Sequence, residues 1–138
     1  MGDKDYSATP LWKKLGIKER ARVALIGAPE GFEKTILPGP GGVELLTTPG
    51  KGSAVIVIFA TRLADVRKRF GPLAKNLDPA GGLWVAYPKR SSGLATDLTF
   101  ENVQGAGLDA GLVDNKSCAI DATWSAVRFV YRLKDRPA

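Results

Sequence analysis

The chain has 138 residues, of which 44% are hydrophobic and 25% charged, the proportions of one globular domain with room for a proper core. It has no histidine, which removes the commonest general base and most zinc sites, and its single cysteine, Cys118, rules out an internal disulfide or a thiolate cluster. The formal charge of +6 is concentrated in residues 1–70, where twelve Lys/Arg face seven Asp/Glu, a balance that suits an anionic partner or a solvated surface.

In chain order, residues 1–8 read as a frayed end. They are polar and charged where a secretory signal would be apolar, and no apolar run approaches the ~20 residues of a membrane span. The expected location is therefore cytoplasmic, with no membrane partner. Residues 9–16 read as a short docking helix, with Thr9 as cap, Pro10 at the first position and Gly16 at the left-handed stop. Leu11, Trp12 and Leu15 share one face of it.

Residues 22–31, R-V-A-L-I-G-A-P-E-G, are the stretch around which the chain is organised. Four apolar residues fit a strand buried on both faces, Gly27 breaks it, and Phe32, Ile36 and Leu37 predict a helix of two turns. Pro38-Gly39-Pro40-Gly41-Gly42 stops that helix. Residues 43–47 form a second short strand, and residues 54–60, A-V-I-V-I-F-A, are the clearest buried strand in the chain. The link between these strands is too short for a helix. It permits an extended crossover between parallel strands or an antiparallel pairing, and the crossover is the expected form.

Thr61 is placed to cap the next helix, whose stripe is Leu63, Val66, Phe70, Leu73 and Leu77. Gly71-Pro72 should kink or split it, because Pro72 has no N–H to donate. Asp78-Pro79-Ala80-Gly81-Gly82 reads as a turn, residues 83–87 as a strand, and residues 88–93 as a basic, hydroxyl-rich loop. A helix capped by Thr96 or Asp97 should run to Gly111, weakened by Gly105 and Gly107. Residues 116–121 and 124–133 complete a terminal hairpin, and residues 127–133 supply an edge strand that permits homodimer pairing. The expected architecture is α/β, a mostly parallel twisted sheet of about six strands with a C-terminal antiparallel hairpin, all in one domain.

Ligands in open α/β sheets bind beyond the carboxyl ends of the strands. Three loops fall there. In the first, Gly27, Pro29, Glu30 and Gly31 make a strand-to-helix turn of the kind that aims backbone N–H groups at a ligand, with Phe59 and Thr61 of the second loop beside it. Pro29 lacks an N–H and Glu30 is negative, so the motif is a poor phosphate cradle. In the third, Lys89, Arg90, Ser91 and Ser92 suit an anionic oxygen, and Asp97 follows. Asp97 reads as a helix cap and Asp121 as a turn residue. Cys118, in a strand, should be buried and inert. No residue is assigned a catalytic role, and no metal site is expected.

The segments Y-S-A-T-P-L-W-K-K-L-G-I-K, R-V-A-L-I-G-A-P-E-G-F, G-G-L-W-V-A-Y-P-K and G-L-V-D-N-K-S-C-A-I-D-A-T-W-S-A-V-R-F-V resemble a small bacterial family, domain of unknown function 3052. That family lends no established activity. The order of elements is similar to a reduced class I methyltransferase, a Rossmann-like fold that uses S-adenosylmethionine. The resemblance implies that the cofactor would lie at Gly27, Gly31 and residues 59–61. It departs at the sparse glycines of the first loop and at Thr47 or Thr48, where an acid would bind ribose hydroxyls. Three readings follow. The first is a non-catalytic, methyltransferase-like binding or regulatory module; the second is a small methyltransferase using S-adenosylmethionine. The third is a basic adaptor for nucleic acid through residues 13–22 and 62–69.

Overall fold

A computed structural model describes residues 9–37, 39–48 and 50–135. The reading of residues 1–8 as a frayed end lies outside these, as do Pro38 and Pro49. The elements are helix α1 (Leu11–Lys14) and strand β1 (Arg22–Ile26), a 3₁₀ turn at Phe32–Thr35, then β2 (Glu44–Leu46) and β3 (Ser53–Phe59). Helix α2 (Leu63–Asn76) leads directly into β4 (Leu77–Pro88), and α3 (Phe100–Asp109), β5 (Leu112–Ala119) and β6 (Trp124–Tyr131) follow.

The six strands form one sheet in the order β2-β1-β3-β4-β6-β5. The first four are parallel, while β6 runs antiparallel to both β4 and β5. The α/β architecture with a terminal hairpin is as the apolar runs and turn residues predict. Because β2 and β3 flank β1 and both run parallel to it, the short link between them is the extended crossover. Arg22, at the start of β1, fastens it: Nη1 donates to the Lys51 carbonyl at 2.9 Å and Nε to Glu44 Oε1 at 3.2 Å.

Side chains alternate across the sheet and build a core on each face. On one face Ile56, Ile58, Leu83, Val85, Val127 and Phe129 pack under α2 and α3. On the other, Val23, Leu25, Val57 and Trp84 pack under Leu15, Ile17, Phe32 and Ile36. Trp84 is wholly buried and its indole N–H donates to the Leu15 carbonyl at 3.1 Å, so the docking segment is tied to the centre of the sheet.

Several expectations are corrected. Pro10, not Thr9, stands at the cap of α1, where its carbonyl accepts the N–H groups of Lys13 and Lys14. The two-turn helix after Gly31 is one 3₁₀ turn. Pro72 does not split α2, which runs unbroken through it. Burial of Phe70, Leu73 and Ala74 holds the far turn to the sheet, and the Tyr131 hydroxyl donates to the Ala74 carbonyl at 2.6 Å. Residues 78–82 are not a turn before β4 but an irregularity within it, since the register moves from Ser53↔Leu77 to Val55↔Gly82. Helix α3 starts later than expected, at a reciprocal box in which Thr99 Oγ1 accepts Asn102 N–H and Asn102 Oδ1 accepts Thr99 N–H. Finally, residues 127–131 are interior, flanked by β4 and β5, and Leu133 lies beyond the strand and exposed. The edge beside them is β5, so the pairing surface expected at 127–133 is already occupied.

Candidate functional site

The carboxyl ends of β1, β2, β3 and β4 and the start of β6 share one end of the sheet. Gly27 ends β1 with a φ of +69°, and a Cβ there would lie 3.2 Å from the Phe59 carbonyl. Both the left-handed turn and the close approach of β3 therefore require glycine. Gly31 repeats the positive φ, at +79°, and releases the chain into the 3₁₀ turn, where Phe32 N–H donates to the Pro29 carbonyl at 3.0 Å.

That loop forms one wall of a cleft of about 580 Å³ between the ends of β1 and β2. Gly27, Pro29, Glu30 and Gly31 all line it. Leu25, Leu45 and Leu46 make its apolar surface, and Glu33 and Thr47 join Glu30 as its polar side chains. Among the described residues no lysine or arginine lines it. Phe59 and Thr61 open instead onto a neighbouring cleft of about 260 Å³ with Asp65, Arg69 and Trp124, which Gly27 shares. Phe59 is the middle ring of an edge-to-face series, 4.8 Å from Phe32 and 5.1 Å from Trp124, so it carries packing as well as cleft wall.

The third loop does not converge on the first. Ser92 Oγ donates to the Lys89 carbonyl at 2.7 Å and accepts the Leu94 N–H at 3.2 Å. Thr96 Oγ1 donates to the Thr61 carbonyl at 2.6 Å. Asp97 Oδ1 accepts the Leu63 N–H at 2.8 Å, which makes Asp97 a cap, but of α2 and not of the helix that follows it. Asp121 Oδ1 accepts the N–H groups of Thr123 and Trp124, each at 2.8 Å, and is the turn residue expected. Lys89, Ser91 and Ser92 line none of the clefts described here.

A cleft of about 480 Å³ does open beside this loop, built from residues the sequence did not single out: Tyr87, Leu94, Phe100 and Glu101, with Arg90 and Asp97. Burial, and secondarily the Glu101 carboxylate, push the Tyr87 phenol above its ordinary pKa. A helix capped by Thr96 or Asp97 puts Phe100 and Glu101 inside its opening turns, whereas they open α3 behind the Thr99 cap. Glu33 was legible only as a chain neighbour of Glu30, whereas the methyltransferase resemblance singles out Thr47 or Thr48 as the place of a ribose-binding acid. Cys118 is half-buried rather than fully buried; burial raises its thiol pKa, and Lys14 and Lys116 partly offset that.

No family model and no curated protein sequence matches the chain, so the resemblance to domain of unknown function 3052 rests on the segments quoted for it. Solved structures match it well. One is a chain of the complex between the Haloferax volcanii Trm112 methyltransferase activator and its candidate methyltransferase, with a TM-score of 0.65, 13% identity, and coverage of 88% of this chain and 87% of that one. A methyltransferase from Aquifex aeolicus that depends on S-adenosylmethionine gives a TM-score of 0.60 at 17% identity, covering 86% of each chain. The O-methyltransferase NcsB1 of neocarzinostatin biosynthesis, solved with S-adenosylmethionine, gives 0.62 at 14% identity, and the match spans 50% of its length. The fold is the Rossmann-like fold of the methyltransferases.

Proposed function

We propose that this protein is a cytoplasmic binding or regulatory module on the methyltransferase fold, holding a small ligand in the β1–β2 cleft without acting on it chemically. The observation that carries this reading is the lining of the cleft: its ionisable groups among the described residues are the exposed Glu30 and Glu33, and the acids and bases of the third loop and final turn do not reach it. Asp97 and Asp121 are each committed to backbone N–H groups, and Lys89 stands outside the clefts. General acid–base work needs such a group within hydrogen-bond reach of the reacting atom.

The lining defines the ligand. Leu25, Leu45 and Leu46 suit a flat apolar group, and Glu30 and Glu33 suit hydroxyls or a positive charge. S-adenosylmethionine fits in most of its parts: a purine for the leucines, ribose hydroxyls for a glutamate, and a sulfonium near negative charge. Its carboxylate would meet no cationic side chain among the described residues there. A second reading, a small methyltransferase, is favoured by structural neighbours solved with S-adenosylmethionine or S-adenosylhomocysteine. The basic-adaptor reading is less well supported. Residues 13–22 flank segments packed on one face of the sheet and α2 covers the other, so their cations do not form one surface.

An amide NMR titration with S-adenosylmethionine and S-adenosylhomocysteine, paired with an assay for methyl transfer, separates the readings. Perturbations at residues 25–33 and 45–47 without turnover support the binding module. Release of S-adenosylhomocysteine establishes the enzyme instead. Perturbations confined to residues 87–101 would remove the β1–β2 cleft from consideration.

A further inference from the structure

The amino end of the sheet, away from the clefts above, carries a different kind of site. Arg128 lies in β6, paired with Trp84 of β4 on one side and Lys116 of β5 on the other. Its guanidinium reaches over β4 at Gly82, where a Cβ would fall on Nε, Cζ and Nη2 together. The adjacent Gly81 has the Ala54 carbonyl against the place its own Cβ would take. The glycine pair inside β4 is thus the seat of the Arg128 head group.

That head group is half-buried and underused. It has five N–H donors, and the hydrogen bond found for it is Nη1 to Asn115 Oδ1 at 3.4 Å. Among the described residues the ion pairs are Arg22–Glu44 and Arg67–Asp109, so no carboxylate pairs with Arg128. Burial, unopposed by a neighbouring carboxylate, holds its pKa below the ordinary arginine value. It faces a cleft of about 280 Å³ shared with Lys18, Gly81, Asp78 and the small residues Gly16 and Ala54. Asp78 Oδ1 accepts the Ala80 N–H at 2.8 Å, which leaves one carboxylate oxygen facing other partners.

We propose that this cleft binds the phosphate group of a small molecule. Arg128 supplies a fork of donors matched to two phosphate oxygens, and Lys18 adds a point charge at the rim. A phosphate monoester loses its second proton near pH 6. In its protonated form it donates that proton to the remaining oxygen of Asp78, a contact sulfate cannot make. The cleft is smaller than the ~300 Å³ at which pockets for drug-sized ligands begin, so it takes one phosphate group and little more. A polynucleotide would need a row of such cations along its backbone.

The test is an amide NMR titration of the full chain with inorganic phosphate at pH 6.5, with chloride at matched ionic strength as the control. Saturable shifts at residues 16–18, 80–82 and 128, reached by about 10 mM and absent with chloride, are expected, as is a phosphate-dependent rise in melting temperature. Arg128→Gln and the exposed Lys18→Gln should each weaken phosphate by about tenfold, the scale of a lost charge-assisted bond. Lys18→Gln removes no buried contact, so its spectrum stays that of the folded protein even if Arg128→Gln fails to fold. Sulfate should bind more weakly than phosphate. The proposal is overturned if phosphate and chloride act alike, if Lys18→Gln binds phosphate as wild type does, or if sulfate binds as tightly as phosphate. None of these results bears on the β1–β2 cleft, which lies at the other end of the strands.

Discussion

The first and third loops at the carboxyl end of the sheet put their polar groups to different uses. The third loop, rich in hydroxyls and cations, looks in sequence like the better cradle for an anion. In the fold Ser92, Thr96 and Asp97 are all engaged with backbone, two of them with the β3–α2 junction at Thr61 and Leu63. Its shape is set from within. The glycine loop holds itself with fewer side-chain bonds, and its residues face the β1–β2 cleft. Hydroxyls and carboxylates near a strand end are thus a poor guide to a site until their backbone partners are known. A strut and a cradle use the same residue types.

The largest effect expected from testing this difference lies where the strut leads. The third loop delivers the chain into α3, which sits close to the sheet because Gly107 faces the Phe129 ring with no room for a Cβ. Gly107→Ala should destabilise by about 1–3 kcal/mol in urea unfolding, the range for overpacking a core. Gly105, two residues away, has open space at its Cβ. Gly105→Ala should stabilise by about 1 kcal/mol through helix propensity. Equal effects at the two positions would mean that α3 is not seated as described.

Asp97 comes next. Its loss as the cap of α2 should lower stability by about 0.5–2 kcal/mol in Asp97→Ala, and Asp97→Asn, which keeps an acceptor oxygen, should recover most of it. A ligand in the β1–β2 cleft should bind both variants as it binds the wild type. If Asp97→Ala abolished binding while leaving the unfolding curve unmoved, Asp97 would belong to a site and the comparison would fail.

These variants also mark how far the fold could be read from sequence. The strands were legible because residues 23–26 and 54–60 are apolar runs long enough for burial on both faces; the short link between 47 and 54 allowed two pairings, of which the parallel one was the expected form. What stayed hidden was set by distant partners. Pro72 reads as a helix break until Tyr131, 59 positions along the chain, anchors the turn beyond it. The glycine pair at 81–82 reads as a turn until Arg128 arrives to cover it. Thr96, Asp97 and Thr99 are all competent caps, and the reciprocal bond from Asn102 decides for Thr99. At the site, glycine punctuation located one cleft wall and the methyltransferase resemblance pointed to Thr47 or Thr48, whereas Leu45 in the opposite wall follows only from the strand order.

A smaller effect is expected at the cradle itself. Glu30 and Glu33 are exposed, so Glu30→Gln and Glu33→Gln should leave stability within about 0.5 kcal/mol of wild type. Binding should respond where stability does not. S-adenosylmethionine, with its sulfonium charge, should lose affinity in both variants, while the uncharged thioether of S-adenosylhomocysteine should lose less. An equal loss for the two ligands would show that the carboxylates read hydroxyls rather than charge.

The smallest effect concerns Tyr87, at the strand end that enters the third loop. Burial first and the Glu101 carboxylate second both disfavour its phenolate, so its folded pKa lies above the unfolded value of about 10. The folded chain therefore holds this proton more tightly than the unfolded one. Tyr87 adds stability that is fully present below the unfolded pKa and is lost as pH rises through the folded one. Glu101→Gln removes only the lesser cause and should bring the Tyr87 titration part of the way back, in an ultraviolet difference titration read against Tyr87→Phe. A full return to the ordinary value would make Glu101 the main influence, and the cleft beside the third loop would then be organised by charge. A partial return leaves burial in command, as expected of a strut packed against its own strand.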